Sequence, residues 1–186
     1  MLLGLVAYGG GRSEGAVDGI KGILIYLLVY TFMNLGAFAV ITSLRRREVI
    51  GDEIDDIAGL FSRAPTEAVL MLVFLLSLAG IPPLAGFWGK YFIFLGLIET
   101  GHYVLASLAV LYAVFGLYYY MRIGNAMFMR QAVDKEPVSI GLPMAATLGV
   151  TAIATLVIGV YPEPFIQAVN WSLGIVRNPA VANLVR

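Results

Sequence analysis

The chain consists of apolar runs too uniform to be the faces of amphipathic helices, separated by short polar stretches. Residues 20–44 are apolar apart from Lys21 and a few small or polar side chains, and they stop at "RRRE". As an α-helix these 25 residues are about 37 Å long, enough to cross a hydrocarbon core of roughly 30 Å. Two more spans are predicted: residues 103–130, closing with the aromatic and basic "YYYMR" and "MFMR", and residues 140–160, ended by "YPEP". Residues 1–8 hold an apolar run too short for a span, with no basic residue ahead of it as in a signal peptide. They predict the tail of a helix that begins upstream. Residues 45–65 carry the densest charge and predict a surface loop, with or without a short helix in it, and 165–178 predict a short interfacial or terminal helix with a fraying end.

Residues 66–99 fit neither one span nor two. Split at Pro82 and Pro83 they give 66–81 and 84–98, about 24 and 22 Å as helices, both short of the membrane core. As a single traversal they predict two half-helices joined by an unwound "AGIPPLAG", residues 79–86, in which the prolines remove donors and Gly80 and Gly86 loosen the backbone. Basic residues, which accumulate in cytoplasmic loops, favour the broken helix. That topology sets Arg45, Arg46, Arg47, Arg63, Arg122, Arg130 and Lys135 against Arg12, Lys21, Arg177 and Arg186, seven to four. The two-span topology moves Arg122, Arg130 and Lys135 across and Arg177 and Arg186 back, giving six to five.

Composition agrees with lipid as the solvent. Sixty per cent of residues are hydrophobic and 13% charged, with a mean hydropathy of +0.87, where a soluble domain has about 25% charged residues. Twelve basic and twelve acidic residues cancel, which gives nucleic-acid binding no support. Without cysteine, iron–sulfur ligation and thiol chemistry are excluded, and a single histidine, His102, leaves no zinc or haem site. The fold class is therefore an all-α integral membrane bundle with one discontinuous helix, and it binds no cofactor or metal itself.

A few residues carry candidate chemistry. Lys90 lies nine residues before Glu99, about 13 Å from the membrane end of the second half-helix and near the midplane, where insertion of a lysine costs at least about 2.5 kcal/mol. It is either pinned by carbonyls freed at the break or a titrating group in a water-filled polar channel, since broken helices line ion sites in transporters. Tyr26, Tyr30 and Asn34 recur every four residues on one helical face, either a packing face or the edge of a hydrated path. Asp52, Glu53, Asp55 and Asp56 lack calcium-loop spacing and read as a solvated face, and "GGGR" at residues 9–12 lacks the ending of a phosphate-binding loop. His102 in "ETGH" reads as an interfacial residue.

"YLLVYTFMNLGAFAVI", "LSLAGIPPLAGFWGKYFIF", "GLYYYMRI" and "VIGVYPEPF" together resemble the C-terminal part of subunit N of NADH-quinone oxidoreductase, respiratory complex I, in order over nearly the whole chain. Subunits L and M and the multisubunit cation/proton antiporters share the architecture, but "MNLGAF" and "YYYMR" are more similar to subunit N. The resemblance implies a fourteen-helix protein with two inverted five-helix repeats, each with a broken helix, and a midplane chain of buried lysines and a glutamate. Lys90 matches the lysine of the second broken helix. The other members of that axis lie upstream of Met1, so the chain would lack the first nine or so helices.

The resemblance further implies a proton-translocating subunit without redox chemistry of its own. NADH, flavin, iron–sulfur clusters and quinone would belong to partner subunits, in a bacterial inner membrane, beside neighbouring antiporter-like subunits. An antiporter subunit without an electron-transfer partner and a nonfunctional membrane fragment stay open as alternatives.

Overall fold

A computed structural model of the protein describes residues 2–9, 14–45, 53–131 and 142–177. Arg12, Arg46, Arg47, Asp52, Lys135 and residues 178–186, all invoked above, lie outside the described residues. Among the described residues the fold is entirely helical: α1 (Leu2–Gly9), α2 (Glu14–Arg45), a 3-10 turn (Ile54–Ile57), α3 (Leu60–Arg63), α4 (Pro65–Ala79), α5 (Ala85–Glu99), α6 (Tyr103–Met129), α7 (Leu142–Val160) and α8 (Glu163–Arg177). Three stretches are long and apolar enough to cross a membrane, Val17–Arg45, Tyr103–Met129 and Pro143–Val160, and Pro65–Ala79 is a shorter apolar helix.

The long helix α2 is the spine. Ile25, Val29, Met33, Ala37, Val40 and Leu44 recur every three or four residues, and this stripe packs with Ala64, Ala68, Met71, Phe74 and Leu75 near or along α4 and with Leu148, Ala152 and Ile158 of α7. Lipid is as apolar as these side chains, so close packing rather than water exclusion drives such association, and small residues at the contacts favour it. Gly36 illustrates this: the ring of Phe74 occupies the place a Cβ would take. A second, smaller cluster joins Ala7 of α1, Ile93 and Leu97 of α5, and Ala106 of α6.

The order of contacts along α2 gives the path of the chain. Gly22 lies against Ile93 and Tyr26 against Gly89, whereas Met33 meets Ser77 and Gly36 meets Phe74. Moving toward the C-terminus of α2, one therefore passes α5 backwards and then α4 backwards. The two 15-residue helices run one after the other, antiparallel to α2.

The periphery is looser. α6 buries only Ala106, Gly124, Ala126 and Met127, exposing Val104, Tyr112, Phe115 and Tyr118. Its C-terminal end is tied down where the Gly59 N–H donates to the Ala126 carbonyl, 3.0 Å, and where Arg130 pairs with Asp55. The Asp56 carboxylate accepts from the Glu53 N–H at 2.8 Å, so these acids serve local structure. His102 precedes α6, its Nδ1 3.0 Å from the Thr100 hydroxyl, in a turn where Gly101 has φ of 77°. α8 turns Phe165, Ile166, Val169 and Leu173 inward and leaves Trp171 exposed.

Candidate functional site at the helix break

The gap between α4 and α5 spans residues 80–84. α4 ends in a Schellman motif: Gly80, at φ 88°, donates to the Ser77 carbonyl at 3.0 Å, and Ile81 donates to the Leu76 carbonyl at 3.1 Å. Were the helix to continue, the carbonyls of Leu78 and Ala79 would accept from the residues four further on. Those are Pro82 and Pro83, which have no N–H to give. The Pro82–Pro83 peptide bond is cis. Leu84 donates to the Ile81 carbonyl at 3.0 Å, and α5 starts one residue later.

The Lys90 ammonium replaces both missing donors. Nζ lies 2.9 Å from the Leu78 carbonyl and 2.6 Å from that of Ala79. Its stem passes across Gly80, where a Cβ would come within 2.8 Å of Cδ, so this glycine is required by contact as well as by its φ. The second half-helix is tied to the first by a further bond: the Gly86 N–H donates to the Ser77 hydroxyl at 3.1 Å, and that hydroxyl donates to the Met33 sulfur at 3.4 Å. Across the break, the Trp88 indole donates to the Gly159 carbonyl at 2.9 Å, and Gly159 lies directly on the backbone of Pro83, Leu84 and Ala85. A cavity of about 310 Å³ opens beside Lys90, lined by Gly80, Phe87, Tyr91, Phe94 and Ile98 together with Ala113 of α6.

No carboxylate pairs with Lys90 among the described residues, where its partners are the two carbonyls. Its stabilisation comes from main-chain dipoles alone. The arrangement can hold the amine in either state: an ammonium has three donors, and a neutral amine keeps two for the same carbonyls and a lone pair for an incoming proton.

The other expected residues are placed less uniformly. Gly86 was expected within the unwound segment but lies in the first turn of α5. A Cβ there would run into the Ser77 carbonyl, so close approach of the half-helices, and not loosening of the backbone, explains the glycine. The Tyr26 backbone is packed on Gly89, next to Lys90. Tyr26 stacks on Tyr30 with centroids 5.5 Å apart, and Tyr120 of α6 is near enough to interact electrostatically with both. Tyr30 is itself exposed and Asn34 half-buried, so the three positions form a graded edge more than one interior face. Ser77, Trp88 and Gly159 escaped the sequence reading. Ser77 had a signal, as the one polar side chain in "VLMLVFLLSLA", whereas the meeting of Gly159 with a segment 71 residues earlier had none.

Residues 3–116 match the family described as NADH:quinone oxidoreductase/Mrp antiporter, transmembrane, a stretch containing the break, Lys90 and more than half of the chain. The chain belongs to this family. Its similarity to family members is high: it is 67% identical over 186 residues to NADH-quinone oxidoreductase subunit N 1 of Koribacter versatilis, covering all of this chain and 36% of that protein. It is 55% identical over 176 residues to subunit N 2 of Solibacter usitatus, covering 93% of this chain and 34% of that one. The chain thus spans about a third of the length of these relatives. Among solved structures it resembles a chain of respiratory complex I from Thermus thermophilus with bound Aureothin, at a TM-score of 0.69 and 26% identity, over 90% of this chain and 42% of that one. A chain of the Mrp complex from Dietzia shares the fold at a TM-score of 0.73 and 18% identity, over 88% of this chain and 39% of that one.

Proposed function

We propose that this chain is the C-terminal part of a subunit N, a non-redox, proton-translocating subunit of NADH-quinone oxidoreductase, and that Lys90 is its proton carrier. The observation that supports this most is the setting of Lys90: an amine with no counter-carboxylate among the described residues, held by two carbonyls that prolines have left without donors. Identity of 67% to a subunit N points to complex I, and the 18% identity to the Mrp chain is a likeness of fold alone.

In this reading α4, the break and α5 make one traversal of the membrane in the second of two inverted repeats. The sequential packing of α5 and α4 along α2 supports it, because a hairpin would bring the two helices side by side along their lengths. Quinone reduction in partner subunits, fed by NADH through flavin and iron–sulfur clusters there, changes the electrostatic field along the membrane subunits of a bacterial inner membrane. Burial disfavours a charged ammonium and an approaching negative charge favours it, so a changing field can load and unload the amine. Tyr26, Tyr30 and Asn34 edge the route.

The test is Lys90→Arg in the full-length subunit within the assembled complex. Arginine can donate to the same carbonyls and keeps the charge, but it is effectively never deprotonated. Proton uptake by membrane vesicles should collapse while the complex still assembles. Wild-type uptake would reject the carrier role and leave Lys90 as a cation that caps a broken helix.

A further inference from the structure

The same traversal contains a second buried ionisable group, unused in the scheme above. Glu67 stands in the first turn of α4 and is only 2% exposed. It shares the inward face of the segment with Ala64, Ala68 and Met71, all within the main apolar cluster. Its Oε1 is buried and has no hydrogen-bond partner among the described residues. Arg63, four residues earlier, has an interaction of its own, and no ion pair joins the two.

Buried acids inside membrane helices are rare, and those that persist mark ion and proton routes. The C-terminal carbonyls of α4, where Lys90 is bound, lie 11 and 12 residues further along the helix, about 17 Å away. Ser77 on α4 and Thr151 and Thr155 on α7 are buried as well.

We propose that Glu67 is a proton-binding site, the station at the loop end of the route on which Lys90 is the next titrating group. It rests on the reading of Lys90 as a proton carrier, and it adds the group that exchanges protons near the 45–65 loop.

The experiment uses the full-length subunit in the assembled complex, with dicyclohexylcarbodiimide as the probe, because this reagent adds to a protonated carboxyl in apolar surroundings. Mass spectrometry should find the adduct on Glu67, with labelling falling as pH rises. Glu67→Gln should assemble, keep NADH oxidation by an artificial acceptor, and lose most proton translocation, while Glu67→Asp keeps it. An unlabelled Glu67, or a Glu67→Gln complex that translocates at the wild-type rate, would overturn the proposal. If the variant fails to assemble, the labelling of the wild-type chain decides. Lys90→Met, measured in parallel, separates the two ideas: loss there with normal Glu67→Gln sinks Glu67 alone, whereas normal translocation in Lys90→Met sinks the carrier role of Lys90.

Discussion

Two lysines lie on neighbouring helices of this protein and are stabilised in opposite ways. Lys21, near the start of α2, holds its ammonium 2.7 Å from the Asp18 carboxylate and 5.2 Å from the ring centre of Phe92 on α5. Lys90, two residues before that phenylalanine, has only carbonyl oxygens. The Asp18 carboxylate that Lys21 meets is itself largely covered, at 16% side-chain exposure. Losing a proton from Lys90 leaves no carboxylate unpaired, since a neutral amine still donates to both carbonyls, through weaker bonds than the ammonium makes. A cation bound to a counter-ion is a fixture, and a cation bound to dipoles alone can change state. The presence of a lysine in a membrane helix therefore says less about function than the kind of acceptor it meets.

The largest expected effect breaks this contrast directly. Lys90→Ala in the full-length, assembled complex should lower proton translocation by about 10²-fold, the contribution typical of a positioned proton-transfer group. NADH oxidation coupled to quinone should fall with it, and dye quenching in vesicles measures the first while absorbance measures the second. An assembled Lys90→Ala complex with ordinary pumping would reduce Lys90 to the standing of Lys21.

Next in size are changes to the scaffold that holds Lys90. Gly86→Ala forces a methyl group against the Ser77 carbonyl and should destabilise the subunit by about 1–3 kcal/mol or more, as overpacking does. Thermal unfolding of the detergent-solubilised complex should report it as an earlier transition, and an unchanged transition would mean that the half-helices do not meet as closely as described.

Lys21→Met tests the other member of the pair. It should cost about 1 kcal/mol by leaving Asp18 unpaired, with pumping per assembled complex unchanged, and Asp18→Asn in the same chain should recover most of the loss. Pumping that fell as far as in Lys90→Ala would erase the distinction. The smallest effect belongs to Asp55→Asn, which removes an exposed ion pair to Arg130 and should shift stability by less than about 1 kcal/mol.

How much was legible in advance differs from segment to segment. The sequence alone determined that the chain is helical and at home in a membrane, because runs of 20 or more apolar residues admit no other regular structure in lipid. It also located the break, since adjacent prolines at 82 and 83 remove two consecutive donors wherever the segment sits, and it singled out Lys90 as the charge needing an explanation. What it left open was the partner of that charge. Only the tertiary structure decided that the amine reaches back to Leu78 and Ala79, that Gly86 is a contact point on Ser77, and that Glu67, one unremarked letter in "APTEAVL", turns inward and away from solvent. The physical reason is that donors can be deleted by local chemistry, residue by residue, whereas their replacements come from whichever helix face the packing brings within 3 Å. That choice depends on the register of α5 against α4 and α2, which no single stretch of the chain encodes.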